Sequence, residues 1–225
     1  MTGPEQTRGE GLRERKKRLM RHQLASTAAK MFLERGFDSV RVAEVAEACG
    51  VSEKTVFNYF PTKEALVLDR LEGTVTALRT ELADPDTSPA EGALRILTAE
   101  LDDMQASLSA AEDRAVAIAA HRRFGDLIRA TPSLRAHRND MTDRFISVAA
   151  EVLAARAGCA VDDPEPQIVA AALIGLWRVQ FYSLRRHLHA DSAPEEIHRA
   201  VMADVRRAAE LIEPGLGSFS AVGVS

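Results

Sequence analysis

Lys54, Thr55, Phe57, Asn58 and Tyr59 crowd the stretch GVSEKTVFNYFPTKE, residues 50–64, with Lys63 close behind. An asparagine can pair two-pronged with an adenine edge, a lysine can reach guanine O6/N7 or a phosphate, and the Thr55 and Tyr59 hydroxyls can bond phosphate oxygens. On a helix over residues 53–60, at about 100° per residue, Val56 and Phe60 share one face while Lys54 and Asn58 occupy the opposite one. Thr55 and Tyr59 line one flank and Phe57 the other. Such a face suits the major groove of duplex DNA. Taken alone, a lysine and an asparagine on a short polar helix more often mark a solvated surface. The upstream run RERKKRLMR changes the balance, because Arg13, Arg15, Lys16, Lys17, Arg18 and Arg21 within nine residues can bind phosphates or enter a minor groove.

The elements that must hold these residues are helical throughout, since no apolar/polar alternation is long enough for a sheet and Pro and Gly fall between periodic segments. A first helix over 13–35 carries Leu24, Ala28, Met31 and Phe32 on one stripe and stops at Gly36. Val42, Val45, Ala46 and Cys49 mark a short second helix ended by Gly50. Ser52 caps a third, Glu53 suits its positive end, and Pro61 stops it. Two short helices joined by a Gly-containing turn and backed by a longer one make a helix-turn-helix. Thr62 is expected to cap a fourth helix running to about residue 82. Further helices are expected over 90–109, 111–128, 133–157, 165–189 and 194–212. The fold class is all-α: a disordered tail over 1–12, a helix-turn-helix domain over 13–62, a larger helical domain over 63–213, and a second disordered tail over 214–225.

The run GFDSVRVAEVAEACGVSEKTVFNYFPTKEAL, residues 36–66, resembles the DNA-binding segment of the TetR (tetracycline-repressor) family of bacterial transcriptional regulators. Gly36-Phe37, Val45-Ala46, Gly50-Val51-Ser52, Thr55, Tyr59-Phe60 and Lys63-Glu64 fall at the family's spacing, and the resemblance covers roughly 15–70. It implies phosphate contacts from Thr55, Tyr59 and Lys63, and base-edge contacts from Lys54, Asn58 and Phe57. Ser52, at the start of the third helix, joins this DNA-facing set. Arg41 departs from the pattern by standing where the family usually has Thr or Ser. An arginine cannot be an N-cap, so Ser39 or Asp38 is expected to cap the second helix, leaving Arg41 to contact phosphate.

Charge is distributed unevenly: residues 1–70 hold 13 Lys+Arg and 10 Asp+Glu, residues 71–225 hold 16 and 23, and the whole 225-residue chain has a net charge of -4. The basic front suits DNA and the acidic rear does not. Cys49 and Cys159 are too few for a disulfide framework, and each is expected as a small packed side chain. With no secretory h-region and no uninterrupted apolar run of membrane length, a cytoplasmic protein without membrane contact is expected. No GxSxG, Walker loop or HExxH occurs, and His187, His189 and His198 lack metal-ligand spacing, so neither an enzyme, a metal site nor a cofactor is expected.

Residues 168–184 are apolar almost all round and must be buried on both sides. Ile168, Ala171, Ala172, Gly175 and Val179 make a small-residue strip, and Leu173, Ile174, Trp177, Phe181, Leu184 and Leu188 a bulky one. Ile197, Val201, Val205, Ala208 and Ile212 offer a second stripe. The TetR resemblance implies a homodimer through helices 165–189 and 194–212, and two-fold symmetry implies a palindromic operator. It also implies a repressor released by a small-molecule effector held inside the rear domain. Candidate effector-binding residues are Leu101, Met104, His121, Phe124, Phe145, Ile174, Trp177, Arg178 and Phe181. FGDLIRATPSLRAH, residues 124–137, together with EKTVFNYFPTKEALVLD, looks similar to a subgroup whose C-terminal domain binds acyl-CoA-like ligands.

Overall fold

Prolines and short polar side chains set where the helices begin. Pro89, Pro132, Pro164 and Pro194 each sit in a first turn, where a missing N–H leaves no hydrogen bond unmade. Ser88 accepts the Glu91 N–H at 3.2 Å and Asp113 accepts the Val116 N–H at 3.0 Å, satisfying donors that the helix itself cannot. A computed structural model describes residues 11–68 and 71–214. Its α-helices are α1 (Leu12–Arg35), α2 (Val42–Ala48), α3 (Glu53–Tyr59), α4 (Leu71–Glu81), α5 (Pro89–Ser109), α6 (Arg114–Ala130), α7 (Pro132–Ala157), α8 (Pro164–His187) and α9 (Pro194–Ile212). Among the described residues there is no strand. The tails expected over 1–12 and 214–225 fall, except for residues 11, 12 and 214, outside the described residues.

The chain divides into two units, residues 1–69 and 70–225. In the first, α1 packs on α2 and α2 on α3, around buried Leu24, Ala28, Phe32, Phe37, Val45 and Phe60. The Phe32 and Phe37 rings tilt against each other with centroids 5.0 Å apart. The single fourth helix expected from Thr62 does not form. A 3-10 turn over Glu64–Leu66 is followed by a separate α4 from Leu71. Ala65, Leu66 and Val67, in and just after this turn, are all buried.

In the second unit α8 lies against α7, α9 and α5, while α5 also packs on α9 and α4. By length and composition α8 could cross a membrane, yet Val169, Ala170, Leu173, Ile174 and Leu176 are buried against protein. The α9 stripe expected at a dimer seam is largely spent inside the unit: Ile197, Val201 and Val205 are buried, and only Ala208 and Ile212 are half-buried. Periodicity marks an apolar stripe without saying which chain covers it. Cys49 is half-buried as a packed thiol would be, but Cys159 is exposed just beyond the α7 terminus at Gly158, contrary to the expectation.

Two polar links fix the helices. Arg156 of α7 donates to the carbonyls of Leu82, Asp84 and Thr87, holding the α4–α5 connection. Asp204 of α9 accepts the Ser183 hydroxyl of α8 at 2.7 Å, lies 3.2 Å from His187 Nε2 and pairs with Arg207. The Ser183 bond, ahead of those from His187 and Arg207, holds this carboxyl below the usual aspartate range.

Helices α4 and α5 approach closely, so that a Cβ on Gly92 would sit 2.7 Å from the Glu81 carbonyl oxygen. Gly92→Ala gains at most about 1 kcal/mol of helix propensity. It forces a backbone shift costing about 1–3 kcal/mol. A lower urea midpoint for the variant is expected, and an unchanged or higher midpoint would show that the helices separate freely.

Candidate nucleic-acid interface

Helix α3 is seven residues long and is held at both ends by side chains. Before it, Gly50 turns the chain at φ 69°, and the Val51 N–H closes onto the Ala46 carbonyl at 3.0 Å. That left-handed conformation suits glycine because it has no Cβ. Ser52 Oγ accepts the Thr55 N–H at 3.1 Å and is bonded to the Thr55 hydroxyl at 2.8 Å. Val56 and Phe60 are both 0% exposed, whereas Lys54 and Asn58 face solvent and Phe57 is 43% exposed. Thr55 and Tyr59 are half-buried on the flank. The structure therefore brings together Lys54, Phe57 and Asn58 on one outward surface, with the hydroxyl-bearing residues at its edge.

The far end of α3 is closed by a residue that the sequence assigned to another task. Arg21 donates from Nη1 to the Tyr59 carbonyl at 2.9 Å, and its guanidinium carbon lies 4.7 Å from the Phe60 ring centroid. A cation over an aromatic face and beside a helix C-terminus is favoured on both counts. Arg21 thus works inside the protein rather than only as one more cation of the basic run. No local pattern could reveal these two contacts, because Tyr59 lies 38 residues away and Phe60 directly follows it.

Lys63 stands before a 3-10 turn, not a long helix, with Nζ 4.3 Å from the Phe37 ring centroid and 5.8 Å from that of Phe32. Thr62 Oγ1 accepts the Ala65 N–H at 3.2 Å, the capping role expected of it. Neither Ser39 nor Asp38 caps α2: the helix starts at Val42 with Arg41 in the N-cap position. Instead Glu44 reaches back, taking the Arg41 N–H on Oε2 at 2.7 Å and Arg35 Nη2 on Oε1 at 2.7 Å. The carboxylate thereby supplies half of a capping box where the hydroxyl half is missing. The Arg41 side chain stays exposed, its Nε 3.6 Å from Glu44.

In the second unit, Leu101, Phe145 and Ile174 are buried, Met104, Phe124, Trp177 and Phe181 are half-buried, and His121 and Arg178 are exposed. Trp177 Nε1 and the Thr74 hydroxyl both donate to Glu100 Oε1, each at 3.3 Å, so α8, α4 and α5 share one carboxylate that sequence reasoning passed over. His121 Nδ1 is 3.0 Å from the Ala117 carbonyl of its own helix, and Arg178 lies 5.6 Å from the Tyr182 ring centroid. Clefts of about 370 and 490 Å³ lie elsewhere, one beside Leu108, Arg114 and Pro194, the other beside Arg79, Glu151 and Arg156.

Comparison with known proteins gives two family matches: residues 24–69 match bacterial regulatory proteins of the tetR family, and residues 104–217 match the MftR C-terminal domain. The HTH-type transcriptional regulator TcmR of Streptomyces glaucescens is 30% identical over 191 residues, 84% of this chain and 82% of that protein. The regulator designated MftR in Mycobacterium tuberculosis is 29% identical over 157 residues, 69% of this chain and 74% of that one. Among solved structures, NalD, described as the secondary repressor of the MexAB-OprM multidrug efflux pump in Pseudomonas aeruginosa, aligns with a TM-score of 0.49 and 23% identity. The alignment covers 89% of this chain and 98% of NalD.

The Arg41 N–H, first, and the Arg35 guanidinium, second, hold the Glu44 carboxyl below its ordinary value of 4.5. A group depressed in the folded state stabilises above its unfolded pKa, and that contribution disappears as pH falls through the folded value. Glu44→Gln is therefore expected to melt lower than the parent at neutral pH, the gap closing as the pH is taken below 4.5. Melting curves that differ by the same amount at every pH would contradict the capping role.

Proposed function

As a member of the TetR family of bacterial regulatory proteins, the chain is a DNA-binding transcriptional regulator rather than an enzyme, and we propose that it is a homodimeric repressor of a palindromic operator. In this reading residues 13–62 are the DNA-binding domain and 63–213 the effector and dimerisation domain, and the protein works in the cytoplasm. The observation that carries it is the division of α3 into Val56 and Phe60, fully buried, and Lys54, Phe57 and Asn58, turned outward. Lys54, Asn58 and Phe57 would meet base edges, while Ser52, Thr55, Tyr59, Lys63 and Arg41 would meet the phosphates on either side. One such helix reads only a few base pairs, so a two-fold pair set about one helical turn apart, roughly 34 Å, gives the longer target that specificity requires.

Pairing through α8 and α9 is supported by the outer face of α8, where Ile168 is 67% exposed and Ala171 and Tyr182 are exposed beside half-buried Ala172 and Gly175. Small residues allow close helix approach. An effector among Leu101, Met104, Phe124, Phe145, Ile174, Trp177 and Phe181 would meet an apolar lining, with His121 and Arg178 able to meet an anionic head. Those features favour an acyl-CoA-like effector. Linkage requires that an effector which weakens operator binding be itself bound more weakly by the operator complex, by the same factor.

Two sets of titrations test the proposal, using a duplex recovered by the parent chain from a random pool. Asn58→Ala is expected to lose about 1–3 kcal/mol of discrimination at one base position, and Lys63→Ala to weaken binding to every sequence and lower the salt slope by about 1. If both variants bind as the parent does, α3 is not the reading helix. Saturating long-chain acyl-CoA is expected to lower operator affinity, and equal affinity with and without it would reject that effector class.

A further inference from the structure

One carboxylate oxygen of α5 serves two other helices. Glu100 Oε1 accepts the Thr74 hydroxyl of α4 and the Trp177 indole N–H of α8, each at 3.3 Å. One turn along, a second bond joins α8 to α5, from buried Gln180 Nε2 to the Leu97 carbonyl at 3.2 Å. That bond resists sliding of α8 along α5, which leaves rotation of the half-buried Trp177 ring as the easier motion. The two ends of α4 are held differently. Near its far end Glu81 meets Gly92 closely and pairs with Arg95 at 3.7 Å, and Arg79 pairs with Glu151 at 3.0 Å. Thr74 lies in the first turn of α4, the helix with which the second unit opens. The residue is 5% exposed, so its hydroxyl has no water to turn to when the carboxylate leaves, and an unmet buried donor is costly. Thr74 and Glu81 are roughly 10 Å apart along the axis, so a tilt of α4 about its fixed end is felt most at Thr74.

We propose that Thr74 and Glu100 are positioning residues for DNA binding: they hold the start of α4, where the chain arrives from the first unit, and make its placement depend on the Trp177 ring. The inference rests on the DNA-binding reading above. A ligand that turns the indole withdraws one of the two donors from the shared oxygen, lets the carboxylate move and unseats Thr74. Linkage makes the effect reciprocal, so binding of the preferred duplex is felt at Trp177 even with no ligand present.

Trp177 is the only tryptophan of the chain, so its fluorescence reads this coupling directly. The full chain is titrated with the duplex that it recovers from a random pool. Tryptophan emission of the parent is expected to change as the duplex saturates, and a scrambled duplex to leave it unchanged. Thr74→Val, which keeps the side-chain shape and removes the donor, is expected to lose that change, and Thr74→Ser, which keeps the hydroxyl, to restore it. A Thr74→Val chain with the parent's circular dichroism that no longer binds the duplex, beside a Thr74→Ser chain that does, would support the inference equally. If Thr74→Val does not fold, Trp177→Phe, which removes the other donor, is expected to weaken duplex binding about 5-fold, and unchanged affinity would overturn the inference. Emission that changes equally in the parent and Thr74→Val, or that stays constant in a parent bound to its duplex, would overturn it while leaving α3 as the reading helix. A parent chain that recovers no preferred duplex would overturn both.

Discussion

A seven-residue helix does not hold its shape in water, because the first turn fixes several residues for a single hydrogen bond. Everything proposed for α3 depends on the tertiary contacts that compensate for this. Val56 and Phe60 bury one face completely, Ser52 satisfies a donor at the start, and Arg21 closes the last carbonyl while lying on the Phe60 ring. With its backbone anchored at three places, the helix can leave Lys54, Phe57 and Asn58 without partners in the core. Residues kept out of the core are free to be chosen for what they recognise.

The same economy appears around α2. Glu44 serves at once as the acceptor for the Arg41 N–H and the partner of Arg35, so one carboxylate joins the end of α1 to the start of α2. The Arg41 side chain, relieved of capping, is left in solvent. Lys63 holds its ammonium over the Phe37 ring, where it is still able to donate.

What the sequence made legible was local. Gly50, Ser52 and Pro61 bracket α3, the four-residue spacing of Val56 and Phe60 names its hidden face, and prolines mark four later helix starts within a residue or two. What it hid was tertiary. Arg21 looked like one cation among six, since nothing near it announces a partner at Tyr59. The 3-10 turn after Thr62 is signalled by no Pro or Gly among residues 62–68. Ile197, Val201 and Val205 formed a legible stripe, but only the packing of α9 on α8 and α5 tells that their own unit covers it. Of the effector-binding candidates, the apolar members could be read from periodicity, whereas the carboxylate shared by Trp177 and Thr74 could not.

The central claim is that α3 enters DNA through the face bearing Asn58. A photoreactive side chain placed at position 58 of the full chain, and in a separate preparation at position 211, where Leu211 is 84% exposed in the other unit, tests it directly. In the presence of competing random DNA, irradiation with the recovered duplex should crosslink position 58 to bases inside each half-site and leave position 211 unlinked. Crosslinking from 211 with none from 58 would contradict the account.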